Sequence, residues 1–474
     1  MVDKKMAMQL VVIGGGPGGY AAAFLAADMG MKVTLVDPDK NPGGVCLYRG
    51  CIPSKALLHV AKLIHEASEA EAWGVHFEKP SFDLDRIRAW KDEVVDKLTG
   101  GVGQLTKQRK ITHIRGMAKF IDANTISIDK VGGGSESLTF EHAILASGSE
   151  PARIPGFPES PNILDSTTAL DLENIPKTLL VIGGGYIGLE LGTVYASLGS
   201  KVTLVEMTSG LLPGVDRDLV NVLQKRITSL FDTVLLNTKV SDLKDQKNGL
   251  KASFEGKGAD KQSGQFEKVL VSVGRRPLSA NLGLENTKIQ LTQRGFVKVD
   301  EQLRTDEPSI FAIGDVVGEP MLAHKASHEG RTAVEAIAGQ KVAFEPHAIP
   351  AVVFTDPEIA WCGTTESEAK SKGQQISVAK FPWGASGRAA TLGRSDGLTK
   401  LIIDPETERV LGLGLVGPGA GELIAEGVVA IEMGALASDI GLSIHPHPTL
   451  SETIMEAADL FYGTSTHYYR PKRR

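Results

Sequence analysis

The stretch that decides the fold is Leu10-Val-Val-Ile-Gly14-Gly-Gly16-Pro-Gly-Gly19, an apolar run that breaks into glycines. A helix-forming segment follows it, and then Lys32-Val-Thr-Leu-Val-Asp37 has the pattern of a second strand. In such a unit the first glycine permits a tight turn, the second lets the backbone approach a pyrophosphate, and the third lets helix and strand pack closely. The start of the helix also offers unpaired N–H groups to phosphates. The stretch therefore predicts a dinucleotide site, with Asp37 accepting hydrogen bonds from a ribose.

The whole unit occurs a second time. Leu179-Leu-Val-Ile-Gly183-Gly-Gly185-Tyr-Ile-Gly188 leads into a helix and then into Lys201-Val-Thr-Leu-Val-Glu206. In both copies the acid stands 23 positions after the first glycine. One G-x-G-x-x-G alone is weak evidence, but two copies with the same frame indicate two nucleotide sites. Glu206 would repel a 2′-phosphate, and the next residues supply no arginine to hold one, so the second site favours NAD over NADP.

Two of the three cysteines lie close together in Gly43-Gly44-Val-Cys46-Leu-Tyr-Arg-Gly50-Cys51-Ile-Pro53-Ser-Lys55. Their neighbours are turn and surface types, which weighs against a pair of inert core cysteines. On a regular helix, residues five apart have Cα atoms roughly 8–9 Å apart, beyond the ~7 Å limit for a disulfide. A bridge therefore needs a loop or a distorted first turn, for which Gly50 gives freedom, with a helix starting near Pro53. We expect this pair to relay electrons.

A second reactive motif lies near the C-terminus, in Ser443-Ile-His445-Pro-His447-Pro-Thr-Leu-Ser-Glu452. The prolines hold His447 in a rigid loop, and an acid five residues later can orient its ring. A thiol attacks a disulfide as the thiolate, so His447 with Glu452 is a suitable base. Without the cysteines, a His–Pro pair would be interpreted as a structural feature of the loop.

Composition sets the class of protein. The 474 residues are 42% hydrophobic and 23% charged, which is ordinary for a globular chain of roughly three domains. A net charge of −6 without a basic stripe weighs against nucleic acid as a partner, and Arg470–Arg474 is expected to be a solvated tail. The most apolar helical stretch, 419–438, carries three glutamates, so no membrane span is expected. No signal peptide or metal site is predicted, and the expected location is cytoplasmic.

Small residues end three further strand-like runs. Ala143-Ile-Leu-Ala-Ser147-Gly148-Ser149 and Val269-Leu-Val-Ser-Val-Gly274 close the two nucleotide units, and Ser309-Ile-Phe-Ala-Ile-Gly314-Asp315 ends in an acid. Ligands bind at the carboxyl ends of strands in open α/β sheets. From Pro350 onward the pattern changes to strands and amphipathic helices without glycine fingerprints, which indicates a separate α+β domain.

In this order the motifs resemble the pyridine nucleotide–disulfide oxidoreductase family, and within it the members that oxidise dihydrolipoamide, over essentially the whole chain. Besides the two fingerprints, the resemblance is carried by Gly43–Lys55, Phe311–Asp315, Met321–Gly330 and His447–Glu452. It implies two Rossmann-like dinucleotide-binding domains plus a C-terminal α+β dimerisation domain. The boundaries expected are 1–152 for the first part of an FAD-binding domain with the redox disulfide, 153–275 for an NAD-binding domain, 276–347 for the returning FAD-binding/central segment, and 348–474 for the interface domain.

The resemblance also implies which residues hold the cofactors. FAD would lie in the first unit, with Asp37 on its adenosine ribose, Asp315 on its ribityl chain, and a helix start at the flavin. The residues implied for FAD are Gly14, Gly16, Gly19, Asp37, Gly44, Lys55, Ala118 (in a turn), Ser147, Gly148, Ser149, Asp315, Met321, Leu322, Ala323 and His324. Those implied for NAD are Gly183, Gly185, Tyr186, Ile187, Gly188, Glu206, Val240 and Gly274, with Tyr186 covering the nicotinamide pocket until NAD arrives.

The catalytic groups implied are Cys46, Cys51, His447, Glu452, Lys55 and Glu190. Cys51 would be the thiolate beside the flavin and Cys46 the outer thiol that exchanges with substrate. Lys55 and Glu190 would form an ion pair near flavin N5. Together they imply oxidation of dihydrolipoamide to lipoamide through a Cys46–Cys51 disulfide and FAD, with reduction of NAD⁺ to NADH.

The implied assembly is a homodimer in which each C-terminal domain supplies His447 to the other subunit's disulfide. The implied partner is the lipoyl-bearing acyltransferase component of a 2-oxo acid dehydrogenase complex. Two alternatives stay open from sequence: a glutathione-type reductase, which would favour NADPH, and a flavoprotein docking subunit. The chain also departs from the family pattern, since Asp37 stands where Glu is usual and Tyr48 and Arg49 where Asn and Val are common.

Overall fold

The computed structural model describes residues 9–259 and 263–469. The expected tail Arg470–Arg474 and the segment 1–8, considered above for a signal peptide, lie outside the described residues. The first part of the chain contains β1 Gln9–Ile13, α1 Pro17–Asp28, β2 Lys32–Val36, α2 Gly44–Arg49, α3 Cys51–Glu69, α4 Leu84–Gln108, β3 Thr112–Ile114, β4 Gly116–Asp122, β5 Thr125–Lys130, β6 Ser135–Thr139, β7 His142–Leu145 and β8 Ser149–Pro151.

The second part repeats this plan. It contains β9 Ile163–Leu164, β10 Thr178–Ile182, α5 Tyr186–Ser197, β11 Lys201–Val205, α6 Arg217–Leu230, β12 Thr233–Leu235, β13 Thr238–Gln246, β14 Gly249–Gly256, β15 Ser263–Phe266, β16 Lys268–Val271 and β17 Arg275–Pro277.

The third part returns to the first sheet and then forms the C-terminal domain. It contains β18 Ile310–Ala312, α7 Ala323–Ile337, β19 Ala351–Val353, β20 Glu358–Gly363, α8 Glu366–Lys372, β21 Ser377–Pro382, α9 Gly387–Thr391, β22 Leu398–Ile403, β23 Val410–Gly417, α10 Ala420–Glu432, α11 Ala437–Leu442 and α12 Glu452–Tyr462.

Two parallel sheets explain the repeat seen in the sequence. The first has the order β18-β7-β1-β2-β3 and the second the order β12-β11-β10-β16-β9. Each is accompanied by a three-stranded antiparallel sheet, β4-β5-β6 and β13-β14-β15. The central strands are apolar along their length because both faces of a parallel sheet are covered. The expected fold class, two Rossmann-like units plus an α+β domain, is confirmed.

The C-terminal domain is built on the antiparallel sheet β19-β20-β23-β22-β21. Helices α10 and α12 pack on this sheet and bury Ile424, Ile431 and Ile454. The apolar stretch expected at 419–438 is two helices, because α10 ends at Glu432 and Gly434 adopts a φ of 65°. Within the described ranges, no helix is both long and apolar enough to cross a membrane.

Candidate active site

The two Rossmann turns can be built only with glycine at their tightest points. Gly14 has a φ of 105°, and a Cβ there would lie 2.2 Å from the carbonyl oxygen of Ala146. Gly44 opens the cysteine helix α2, and a Cβ on it would lie 2.6 Å from Cα of Gly16. The backbone before the cysteines therefore lies directly against the first nucleotide turn. This contact brings the dithiol to the cofactor loop.

A cavity of about 720 Å³ opens over these turns. That size suits a large organic ligand, and the glycine cradle leaves room where side chains would otherwise stand. The cavity is lined by most residues expected to touch FAD and by four of the expected catalytic groups. From the sequence prediction these are Gly14, Gly16, Gly19, Asp37, Gly44, Cys46, Cys51, Lys55, Ala118, Ser147, Gly148, Ser149, Glu190, Asp315, Met321 and Ala323. Two residues expected at NAD, Tyr186 and Ile187, line the cavity as well. The residues present fit a flavin dinucleotide.

The acids that end the second strand of each unit occupy equivalent positions. Asp37 is 6% exposed, and its Oδ2 accepts a hydrogen bond of 2.6 Å from the N–H of Gly15. Glu206 is 5% exposed, and its Oε2 accepts one of 2.7 Å from the N–H of Gly184. Burial raises the pKa of Asp37 above its ordinary value. Both carboxylates are thus fixed by the glycine turn that a dinucleotide would approach.

Cys46 lies on α2, and Cys51 is the first residue of α3. Between them, Gly50 adopts φ −148° and ψ −113°, which breaks the helix as the spacing argument requires. Neither cysteine is joined in a disulfide in the structure. The expected helix start is also present, with Pro53 in the first turn of α3.

The two thiols differ in acidity. A hydrogen bond from Cys46 lowers the pKa of Cys51 to about 7; burial opposes this effect and the charge of Lys55 adds to it. The same bond, together with burial, raises the pKa of Cys46. A helix N-terminus also favours a thiolate. Cys51 is therefore the sulfur that ionises first, whereas Cys46 keeps its proton.

Lys55 stands one turn after Cys51 and forms an ion pair with Glu190. Its Nζ lies 2.8 Å from Oε2 of Glu190, whose side chain is 4% exposed. Oε1 of Glu190 accepts a hydrogen bond of 3.0 Å from the N–H of Phe354, and Ser54 donates to Oε2 at 3.3 Å. The pair thus joins α3, α5 and the segment before β20 at the cavity wall.

Asp315 follows β18 at the carboxyl edge of the first sheet. It accepts a hydrogen bond of 2.5 Å from Oγ of Ser149. Behind it lies a buried pair that the sequence analysis missed, Lys325 and Glu329, 2.8 Å apart. Glu329 also accepts the N–H of Gly314 at 2.6 Å, so the pair supports the turn that presents Asp315. The i,i+4 spacing of a lysine and a glutamate was the signal available.

Several expected cofactor residues lie outside this cavity. Leu322 caps α7, and Nε2 of His324 lies 2.8 Å from the carbonyl oxygen of Pro350. The prediction that Ala118 lies in a turn was wrong, because it is inside β4, paired with Ile128 of β5, although it does line the cavity. The remaining expected NAD residues belong to the second unit and do not line the first cavity; they are Gly183, Gly185, Gly188, Glu206, Val240 and Gly274.

Tyr186 connects the two units. It is the first residue of α5, in the second fingerprint, and it lines the first cavity. Burial raises its pKa to about 12, so the phenol stays protonated near neutral pH. An uncharged aromatic ring from the second fingerprint therefore stands in the wall of the first cavity. The resemblance implies that this ring covers the nicotinamide pocket.

His447 and Glu452 form a dyad away from the cavity. Nδ1 of His447 lies 2.9 Å from Oε1 of Glu452, whose Oε2 accepts the N–H of Thr449 at 2.8 Å. Burial raises the pKa of Glu452, but the Thr449 and His447 contacts outweigh it, so the pKa is lowered. The His447 side chain is 71% exposed and does not line the cavity. One chain does not bring this dyad to its own cysteines.

A cluster of Asp216, Asp218 and Glu366 has the spacing of a metal site. Nζ of Lys400 lies 2.6, 2.8 and 3.0 Å from these three carboxylates respectively. Nζ of Lys380 also lies 2.6 Å from Asp218 and 2.8 Å from Glu366, so two lysine ammonium groups already pair with these carboxylates. The third cysteine, Cys362, is buried in β20 and does not line the cavity.

Two family profiles match the chain. Residues 8–330 match "Pyridine nucleotide-disulphide oxidoreductase", and residues 349–458 match the dimerisation domain of the same family. The chain belongs to the pyridine nucleotide-disulphide oxidoreductases. Its C-terminal sheet is thus the dimerisation domain of this family, which supports a homodimer.

Individual relatives narrow the comparison. The chain is 48% identical to a dihydrolipoyl dehydrogenase of Vibrio cholerae, over 98% of both chains. It is 46% identical to a dihydrolipoyl dehydrogenase of Geobacillus stearothermophilus, also over 98% of both. Among solved structures, LpdA of Mycobacterium tuberculosis matches with a TM-score of 0.89 at 27% identity, covering 96% of this chain and 100% of LpdA. The flavoprotein disulfide reductase RclA of Escherichia coli, in its Cu(II) complex, gives a TM-score of 0.85 at 28% identity, covering 96% and 99%.

Proposed function

We propose that this oxidoreductase is an FAD-dependent dihydrolipoyl dehydrogenase, which oxidises dihydrolipoamide and reduces NAD⁺. The observation that carries the proposal is the unequal thiol pair, with Cys51 acidified at a helix start inside the cavity that fits a dinucleotide. Relatives of that name at 44–48% identity over nearly the whole chain support the same activity.

The thiol chemistry follows from the acidities. A substrate thiolate attacks Sγ of Cys46 in the oxidised pair, forms a mixed disulfide, and releases Cys51 as the thiolate. The second substrate thiol then attacks the substrate sulfur, closes the lipoamide disulfide and releases Cys46, so two electrons pass to the dithiol. Because the pKa of Cys51 is lowered to about 7, it is the better leaving group. Bound FAD would supply the hydride chemistry that connects this dithiol to NAD⁺.

Proton transfer needs a base at the outer sulfur. Glu452 fixes Nδ1 of His447, which directs Nε2 outward. We assign the base to this dyad, acting from one subunit on Cys46 of the other. The exposure of His447 in the single chain supports this arrangement.

The ion pair of Lys55 and Glu190 lies beside the dithiol. We assign it the positioning of the cofactor edge and the stabilisation of the Cys51 thiolate by the lysine charge. Glu206, whose carboxylate is held by the N–H of Gly184, is assigned to bind the ribose of NAD⁺. The same carboxylate would repel the 2′-phosphate of NADP⁺.

We further propose that the protein serves a 2-oxo acid dehydrogenase complex, where its substrate is the lipoyl group of the acyltransferase component. A reducing compartment such as the cytoplasm suits a dithiol that must cycle. Its domain boundaries are proposed as 1–152, 153–275, 276–347 and 348–474.

The decisive experiment compares two reactions of the purified protein. NADH formation from dihydrolipoamide and NAD⁺ should be fast, and NADPH-dependent reduction of glutathione disulfide should be near background. The reverse preference would assign the chain to the glutathione-type reductases. Bound FAD with neither activity would leave only a docking role.

A further inference from the structure

Arg275 lies at the crossing between the two nucleotide-binding units. It is the first residue of β17 and follows Gly274 directly. Strand β17 pairs antiparallel with β8, with Arg275 opposite Pro151 and Pro277 opposite Ser149. These two strands are the segments by which the chain leaves the first unit and later returns to it. Arg275 belongs to neither glycine fingerprint, yet it lines the cavity.

A chain of hydrogen bonds leads from Arg275 to Asp315. Nε of Arg275 donates to Oγ of Ser149 at 2.7 Å, and Nη2 donates to the carbonyl oxygen of Ser149 at 2.7 Å. Oγ of Ser149 in turn donates to Oδ2 of Asp315 at 2.5 Å. A hydroxyl has one proton, and a guanidinium can only donate. The guanidinium therefore forces the Ser149 proton toward Asp315.

The arrangement is enclosed and anchored at both ends. Ser149 is 2% exposed. The guanidinium also reaches Oγ of Ser166 at 3.4 Å. Tyr186 lies within the field of both charges, since Arg275 lowers and Asp315 raises its pKa, while burial has the larger effect. The chain of hydrogen bonds thus ends in the cavity near Tyr186, the residue that connects the two units.

We propose that Arg275 is a positioning residue, which fixes the carboxylate of Asp315 toward FAD through the hydroxyl of Ser149. This inference rests on the proposed function, in which Asp315 holds the sugar chain of FAD. Loss of the guanidinium frees the Ser149 hydroxyl to rotate, so that the carboxylate is no longer held in one orientation. Hydrogen bonds to charged groups are strong enough that their loss changes binding about tenfold.

The test measures release of FAD from the purified holoenzyme, by the rise in flavin fluorescence after dilution. Arg275→Met and Ser149→Ala should each release FAD about tenfold faster than wild type. The double variant should be no faster than the more affected single variant, because both changes break the same chain of bonds. Arg275→Lys keeps the charge but loses the fork, so its rate should fall between wild type and Arg275→Met.

Arg276→Met is the matched control. Arg276 is the next residue of the same strand, but it is 61% exposed and pairs with Glu150 at 2.7 Å on the surface. It should release FAD at the wild-type rate. Unchanged release from Arg275→Met, or rates that multiply in the double variant, would overturn the proposal. If Arg275→Met does not fold, the Ser149→Ala and Arg275→Lys rates decide it, and a wild-type rate from both counts against it.

This readout uses no thiol substrate. Failure of the dihydrolipoamide assay would therefore reject the proposed function alone. Wild-type FAD release from the variants would reject the positioning role alone.

Discussion

Nζ of Lys55 lies 2.8 Å from Oε2 of Glu190, and this contact joins the helix that begins with Cys51 to the helix that begins with Tyr186. The two charges act on Cys51 with opposite signs: Lys55 lowers its pKa and Glu190 raises it. This partly buried pair therefore balances the acidity of the thiol while fixing its surroundings. The ring of Phe354, 4.5 Å from Nζ, closes the other side of the lysine.

Lys55→Met should raise the pKa of Cys51 from about 7 toward the ordinary thiol value of ~8.5, because the nearby cation is lost and Glu190 remains. At neutral pH the thiolate fraction, and hence the rate of alkylation of the reduced enzyme by iodoacetamide, should fall several-fold. Glu190→Gln removes the anion and should move the alkylation midpoint to lower pH. Shifts of the same sign in both variants would show that the pair acts only through structure.

His447→Gln should retain FAD and fold but lose about 10²-fold or more of dihydrolipoamide oxidation, because the base is removed. NADH oxidation by ferricyanide needs no thiol deprotonation and should continue. The matched control is His445→Gln in the same loop. Nε2 of His445 lies 2.7 Å from Oε1 of Glu426, and its side chain is only 8% exposed, so it is less accessible to a substrate than His447 is. We expect this control to lower the thermal unfolding midpoint and to keep near-normal turnover. Near-normal turnover in His447→Gln would remove the dyad from the mechanism.

Short sequence patterns predicted much of the fold and of the candidate site. The glycine frame predicted both parallel sheets, because a turn that approaches a pyrophosphate restricts sequence strongly. Cys46 with Cys51, and His447 with Glu452, are near neighbours in sequence, so short segments were enough to predict that each pair meets, provided that the helix between the cysteines is broken. Only four residues separate the two cysteines, and Gly50, the last of them, breaks the helix.

Long-range contacts could not be predicted in this way. Ser149 is 126 residues from Arg275 and 166 from Asp315, and their meeting depends on how β8 and β17 pair. The resemblance implied a turn at Ala118, whereas its place in a strand depends on the pairing with Ile128 of β5, which no motif describes. The proposed role of His447 likewise depends on a second subunit, which no local spacing describes.

Glu206→Gln should weaken the preference for NAD⁺ over NADP⁺ by about tenfold in kcat/KM, since the repulsion of a 2′-phosphate is reduced. The amide oxygen can still accept the N–H of Gly184, while the N–H of Thr208, which Oε1 of Glu206 accepts at 2.7 Å, loses this acceptor. Asp37→Asn is the equivalent change in the first unit, where Asp37 holds Gly15. It should leave the nucleotide preference unchanged and speed FAD release. A preference that shifts equally in both variants would contradict the assignment of the two sites.

Lys400→Met should destabilise the contact between α6 and the C-terminal sheet by about 3–5 kcal/mol, because Asp216 and its neighbouring carboxylates lose a cation that is 1% exposed. Lys380→Met, at a side chain 38% exposed, should cost much less. The measurement is the thermal unfolding midpoint of each holoenzyme at several pH values.

The pH dependence follows from the carboxylates of this cluster. Burial raises the pKa of Asp216, but hydrogen bonds from Lys400 and two backbone N–H groups outweigh this effect, so its pKa in the folded state is lowered. Burial also raises the pKa of Asp218, but hydrogen bonds from Lys380 and Lys400 outweigh it, so this pKa is lowered as well. Their stabilisation is present above the ordinary value of ~3.9 and is lost as pH falls below it. In Lys400→Met the pKa values of Asp216 and Asp218 rise. On acidification these carboxylates are therefore protonated at a higher pH than in wild type, which relieves the repulsion between them. The gap between wild type and variant should narrow from pH ~7 to ~4, and a constant gap would show that lost packing, not charge, causes the destabilisation.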